Sequence, residues 1–403
     1  MYTVTKDCLL PTTVTGSWPR PRWFDKSLWG RRLSDAMKEV DYREKFLDAV
    51  ASVLSDQEQA GLDILTNGDY HLDEDLGGLS WLLFPSERMY GVAPDETYST
   101  SVEWTYRPGS ALNEIMGGWR YPAVIDRVSR GRSWEFATIW RVAQSKAVTP
   151  VKFGTVSAQV LASMLEVRTK KYKTDKRELI WDMSVAVNEE LHELAAAGCR
   201  VIQIEDPNVH LAAATNADKD FLSFLVDAYN REVQGLENVE ICIHTCWGNP
   251  NMQKVLNEIS YAKTFDTYME RMRGDVWTLE MKERNYTDLE LFGRYKGKKW
   301  PKKIALGVIS HRHLQVETPQ EVAADIRRAM QFIDPEQIVL STDCGFGRYG
   351  CNRLVAFHKA VSMVEGANMV RNELGAKTKE VRAADPKLQI DLASENVRRT
   401  AEM

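Results

Sequence analysis

The hydrophobic and polar positions alternate between two rhythms. Short apolar runs recur, and most are apolar on both faces, as strands buried between a core and a helix layer are. Eight such runs predict strands at Thr12–Gly16, Leu62–Asn67, Val151–Val156, Arg200–Glu205, Val239–His244, Asp275–Glu280, Ile304–Val308 and Gln337–Thr342. Between most of them lie stretches of helical period. Tyr42–Ala60 places Phe46, Val50, Val53 and Leu54 on one face. Trp181–Ala197 stops at Gly198, and Pro319–Phe332 opens after Thr318, an N-cap residue followed by proline at the first helical position. Eight strand–helix units predict an α/β fold, a (β/α)8 TIM barrel spanning residues 1–403 as one domain. The competing architecture is an open doubly wound sheet.

One segment breaks the rhythm. Residues 76–134, between the second and third strands, are too long for an ordinary loop and carry Trp81, Phe84, Tyr90, Trp104, Tyr106, Trp119, Tyr121 and Trp134. This aromatic-rich insertion reads as a satellite apolar cluster with its own hairpin, as a wall or lid near the barrel mouth, or as both. Two basic runs, Arg168–Arg177 and Lys296–Lys303, read as solvated faces, with a patch for an anionic substrate tail as the alternative.

Composition narrows the class. With 403 residues, 44% hydrophobic and 27% charged, the chain supports a large core and does not look disordered. A net charge of -5 gives no basic footprint, so no nucleic-acid partner is expected. Met1–Pro11 carries Lys6 and Asp7 and no long apolar run, so neither a secretory leader nor a membrane span is expected, and the reading is a cytoplasmic protein. Six cysteines in so long a chain are no disulfide framework. Cys8, Cys199, Cys242 and Cys351 read as core residues. A homo-oligomer is compatible with the sequence, which does not give the state.

The chemistry concentrates at strand ends. His244 and Cys246 close the fifth predicted strand, Glu280 closes the sixth, and Cys344 follows the eighth in a glycine-rich Asp-Cys-Gly-Phe-Gly loop. All strands of a barrel end at one rim, so these residues are expected to meet there. An imidazole, two thiolates and a carboxylate form a reasonable zinc set. Zn2+ with thiolate ligands suits one reaction in particular: it binds a substrate thiol and holds it as a nucleophilic thiolate at neutral pH. Glu280 is then the ligand that moves aside. Other rim residues suit substrate polar groups: Ser17 after the first strand, Asp69 after the second, and Glu205 with Asp206 after the fourth. Each has a structural alternative as a helix cap. His311 and His313 follow the seventh strand, and either suits protonation of a leaving group. The sequence does not choose between them.

These residues resemble the catalytic barrel of the cobalamin-independent methionine synthase family over most of the chain. Pro11–Pro19 resembles the barrel-opening segment, and Thr66–Asp69 resembles a Gly-Glu segment with Asp in place of Glu. Pro122–Arg130 resembles a segment within the aromatic insertion. Ile202–Pro207 resembles an Asp-Glu-Pro strand end with its acids exchanged. His244–Cys246 and Asp343–Gly345 resemble the metal motifs, the most specific part of the match. The resemblance implies zinc on His244, Cys246, Glu280 and Cys344, an amino-acid thiol against Ser17 and Asp69, and a folate-like methyl donor across the mouth. Three departures touch the donor. The chain has no room for the duplicated N-terminal barrel of the long synthases. Phe153–Ser157 lacks the proline of the family's Thr-Gly-Pro-Val-Thr segment, and His311–Leu314 replaces its His-Ser-Pro. Short relatives include core methionine synthases and epoxyalkane:coenzyme M transferases.

The sequence therefore predicts a zinc-dependent S-alkyltransferase acting on a small thiol with an alkyl donor. Homocysteine with a methyl donor leads, because Ser17 and Asp69 suit an amino acid. Coenzyme M with an epoxide is the alternative, its sulfonate served by Arg20 or Arg348. Further alternatives are a metal-free enzyme resembling uroporphyrinogen decarboxylase, and a non-catalytic subunit that keeps zinc for folding.

Overall fold

The structure, a computed structural model, describes residues 2–73, 76–93, 106–209, 212, 218–256, 260–298, 300–347 and 350–388. Trp104 and Arg348 lie outside them. The elements follow the apolar pattern closely. In chain order the strands are β1 (Leu65–Thr66), β2 (Tyr90–Val92), β3 (Ala123–Ser129), β4 (Val151–Val156), β5 (Glu166–Val167), β6 (Val201–Glu205), β7 (Glu240–Thr245), β8 (Val276–Leu279), β9 (Lys303–Ile309) and β10 (Ile338–Thr342). One sheet runs β1-β4-β6-β7-β8-β9-β10 with every neighbouring pair parallel. Its residues from β6 to β10 are buried on both faces, as a parallel sheet under helices requires.

The barrel closes through the first predicted stave, which is shorter than the sequence suggested. Thr12 bridges Leu340 in parallel, Thr13 N–H donates to Leu340 O (2.9 Å), and Ile64 N–H donates to Thr12 O (3.1 Å). Beyond that the backbone ladder gives way to side chains: Thr15 N–H donates to Thr342 Oγ1 (2.9 Å), and the Thr15 and Ser341 hydroxyls share a hydrogen bond. Pro11 has no N–H, and Gly16 turns out at φ +64°, so the stave cannot continue as regular strand in either direction.

Helices cover the outside. Val40–Ala60 ends at Gly61 in the left-handed conformation, and Pro319–Ala329 opens with a Thr318–Glu321 capping box. Arg177–Ala196 begins a turn earlier than its apolar period suggested, and Arg353–Glu373 packs across Val40–Ala60 and Pro319–Ala329. Within residues 76–134, β2 pairs antiparallel with β3, and β3 pairs parallel with β5 beyond the segment, making a separate three-stranded sheet.

Two expectations about the surface are corrected. Lys302 and Lys303 turn inward from their basic run: Lys302 Nζ donates to the carbonyls of Met269 and Met272, and Lys303 Nζ to that of Thr5, each at 2.6 Å. Chain carbonyls at the foot of the barrel outcompete water for these donors. Cys8 is exposed and Cys351 half-buried, whereas Cys199 and Cys242 lie in the core.

Candidate metal centre and active site

β7 delivers His244 and, one residue past its end, Cys246; the loop after β10 delivers Cys344. Their donor atoms all lie within 4.8 Å of one another. His244 is fully buried, and neither ring nitrogen has a hydrogen-bond partner. A buried imidazole without partners, facing two thiols, is a donor set that fits zinc. The neighbouring Cys246, and then His244, hold the Cys344 thiol well below the usual range, while Cys344 and burial push that of Cys246 above it.

Glu280 follows β8 as expected, yet it is not among the converging donors. Its carboxylate accepts from Arg312 Nη2 at 3.0 and 3.3 Å on its two oxygens and from Trp247 N–H at 3.0 Å. Sequence reasoning misses Arg312, although it stands between His311 and His313. The same guanidinium donates to the carbonyls of Gly248 and Met252, pinning the loop after Cys246. Asp343, beside Cys344, accepts the N–H groups of Met281 (2.7 Å), Lys282 (2.9 Å) and Glu283 (2.8 Å), fastening the ends of β8 and β10 together. Its close approach to β9 requires Gly307, where a Cβ would lie 2.0 Å from Asp343 Oδ1. Gly345 likewise leaves room for Ser17, whose N atom would be 2.7 Å from a Cβ there.

The cysteines face a cavity at the barrel mouth. Its polar end carries Ser17, Asp69 and Glu205 together with Cys246 and Cys344. Trp81, Met116 and Trp119 from the aromatic-rich segment form part of an apolar wall, completed by Met164, Val255 and Leu256. Asp69 sits at φ +57°, its N–H held by Asn67 Oδ1 at 3.0 Å. Glu205 Oε2 lies 3.5 Å from His244 Nε2, and burial pushes this carboxyl up to about 7 against the pull of the imidazole.

Other expected residues do not reach the cavity. Asp206 follows Glu205, so its side chain points the other way, out of the barrel, where Gln159 binds it. His313 is 46% exposed and lies 3.8 Å from Glu283 and Glu317. His311 is buried behind the rim, within electrostatic reach of Cys344, and burial pushes its imidazole down to about 3. Arg20 donates to the carbonyls of Lys26 and Tyr70 beside Phe24 and does not line the cavity.

Residues 106–368 match the family described as "Cobalamin-independent synthase, Catalytic domain". A methionine synthase of Saccharolobus solfataricus is 31% identical over 92% of this chain and 97% of its own length. One from Sulfurisphaera tokodaii is 30% identical over 92% of this chain and 95% of its own. Among solved structures, a B12-independent methionine synthase from Shewanella sp. W3-18-1, in complex with selenomethionine, superposes with a TM-score of 0.72 at 24% identity, covering 91% of this chain and 99% of that one.

Proposed function

The chain belongs to the cobalamin-independent methionine synthase family, and from that premise we propose that it is a zinc-dependent methyltransferase that converts homocysteine to methionine. What carries the reading is the meeting of His244, Cys246 and Cys344 at the wall of a cavity that also presents Asp69 and Glu205. His244, Cys246 and Cys344 would hold the metal, and Glu280, turned from Arg312, would complete the set. Zinc there would lower the pKa of a bound thiol and make a thiolate available at neutral pH.

The rest is done by the protein's own side chains. Asp69 and Glu205 set two carboxylates against the substrate ammonium, and Ser17 offers its hydroxyl and backbone to the substrate carboxylate. The same two acids favour an amino-acid thiol over the sulfonate of coenzyme M, which they would repel. The apolar wall of Trp81, Met116 and Trp119 receives the methyl donor and keeps water from the sulfur. We read residues 76–134 accordingly, as an insertion in one barrel domain spanning 1–403. As the sulfur–carbon bond forms, the bond from methyl to donor breaks, the electron pair stays on the donor atom, and that atom takes up a proton. Neither His311 nor His313 lines the cavity, and burial keeps the His311 imidazole unprotonated at neutral pH, so that proton is drawn from water at the cavity mouth. The family match speaks against the decarboxylase alternative.

No described helix is long and apolar enough to cross a membrane. A cytoplasmic setting suits an enzyme whose two working thiols must stay reduced.

The test is zinc content and thiol binding of the purified chain. One zinc per chain is expected, lost in Cys344→Ser, with proton release when homocysteine is added and a new zinc–sulfur contact in X-ray absorption. A chain that holds zinc but shows neither thiol response keeps the metal for folding alone. A chain that makes methionine without metal overturns the proposal.

A further inference from the structure

Lys152 lies on β4 between Val151 and Phe153, inside the barrel, and it is buried. Its ammonium donates to two neutral oxygens, Val14 O at 2.9 Å and Gln203 Oε1 at 2.6 Å. A full charge in a barrel interior is costly, and a neutral side chain of that length would pack there at less cost. What the charge does is fix a direction. Lysine only donates, so it draws the Gln203 carbonyl toward itself and leaves the amide NH2 to point the other way. That NH2 donates to Glu205 Oε1. Glu205 stands directly opposite His244 in the β6–β7 register, with its second oxygen, Oε2, 3.5 Å from His244 Nε2. A row of contacts thus runs from Lys152 through Gln203 and Glu205 to the imidazole.

We propose that Lys152 is a positioning residue for the metal centre: acting through Gln203, it aims the Glu205 carboxylate at His244 and fixes that imidazole as a ligand. A carboxylate beside one ring nitrogen settles the tautomer and strengthens the other nitrogen as a donor. The proposal rests on the zinc reading above. It gives Glu205 two duties, one oxygen turned to the imidazole and the residue as a whole to the cavity.

The experiment compares the full-length chain with Lys152→Met, Gln203→Met, Glu205→Gln and the Lys152→Met/Glu205→Gln double variant. Zinc affinity is read by chelator competition after metal removal, and the site geometry by the visible spectrum of the cobalt-loaded protein. Each single variant should bind zinc roughly 10- to 100-fold more weakly, with shifted cobalt bands. The double variant should be no weaker than Glu205→Gln alone, since both changes cut one chain of contacts. A folded Lys152→Met with native affinity and native cobalt bands overturns the proposal, as does an additive double variant. If Lys152→Met does not fold, Gln203→Met, which leaves the lysine in place, decides by the same two readouts. Tight zinc binding that no variant disturbs defeats this proposal alone, whereas a native chain that takes up no zinc defeats the zinc reading and this one together.

Discussion

Arg312 grips both carboxylate oxygens of Glu280, at 3.0 and 3.3 Å, and so holds the fourth expected ligand away from the His244–Cys246–Cys344 trio. Both partners are buried, with side-chain exposures of 9% and 0%. Removing one partner of such a pair leaves an uncompensated charge, at a cost of roughly 3–5 kcal/mol. Arg312→Met should therefore destabilise the metal-free chain by about that much. Zinc should restore much of the loss, because Glu280 then has a cation to turn to. Thermal melts with and without zinc check this; equal losses in both would show that Glu280 does not turn to the metal.

Asp343 ties three backbone amides of the loop after β8 to the residue that precedes Cys344. Asp343→Ala strands all three N–H groups, of which that of Met281 is buried and those of Lys282 and Glu283 are half-buried. Urea denaturation should show a loss of about 1–3 kcal/mol, the cost of one stranded buried group. Gly307→Ala should be as harmful for the converse reason, since its Cβ would collide with both Asp343 Oδ1 and Leu279 O. A Gly307→Ala protein as stable as the native one would mean that the loop yields easily.

How much of this was legible in the sequence depended on whether periodicity decided it. β4, β6, β7 and β10 begin and end within a residue of the apolar runs, because strands buried on both faces advertise themselves. The meeting of His244, Cys246 and Cys344 followed from strand ends converging on one rim. Side-chain direction past a strand end was not legible. Glu205 and Asp206 are neighbours of the same charge, and only the pleat decides which one enters the barrel. His311, Arg312 and His313 lie on irregular backbone with no period at all, so the residue that meets Glu280 was overlooked for its neighbours. Lys152 did leave a signal, a lone charge in an apolar strand, which was readable as a buried functional group.

Glu232 lies behind the site, buried, with Ala158 N–H on one oxygen and the Asp206 carboxyl nearby. Burial first, and then Asp206, hold its carboxyl well above the ordinary range. The folded chain thus keeps a proton that the unfolded chain gives up near pH 4.5. Its contribution to stability is complete below that pH and is lost as pH rises toward the folded value. Glu232→Gln cannot ionise and still accepts from Ala158. Its stability relative to the native chain should rise from pH 4 upward, which urea melts across that range would show. A difference independent of pH would mean that Glu232 is ionised in the fold.

Asp69 reaches the cavity from a left-handed turn that also includes Gly68, at φ +57° and +70°, so the carboxylate is held by backbone geometry rather than by a long flexible stem. If it meets the substrate ammonium, the contact is a charge-assisted hydrogen bond, worth about 1.5–3 kcal/mol. Asp69→Asn keeps the shape and removes the charge, and it should raise KM for homocysteine about 10- to 150-fold. Its effect on a thiol without the amine, such as 4-mercaptobutyrate, should be small, because that substrate has no ammonium to lose. Metal content should not change, which separates substrate recognition from damage to the trio. The decisive comparison is the ratio of kcat/KM for the two thiols in native and variant enzyme. An unchanged ratio would move the ammonium away from Asp69 and leave Glu205 as the acid that receives it.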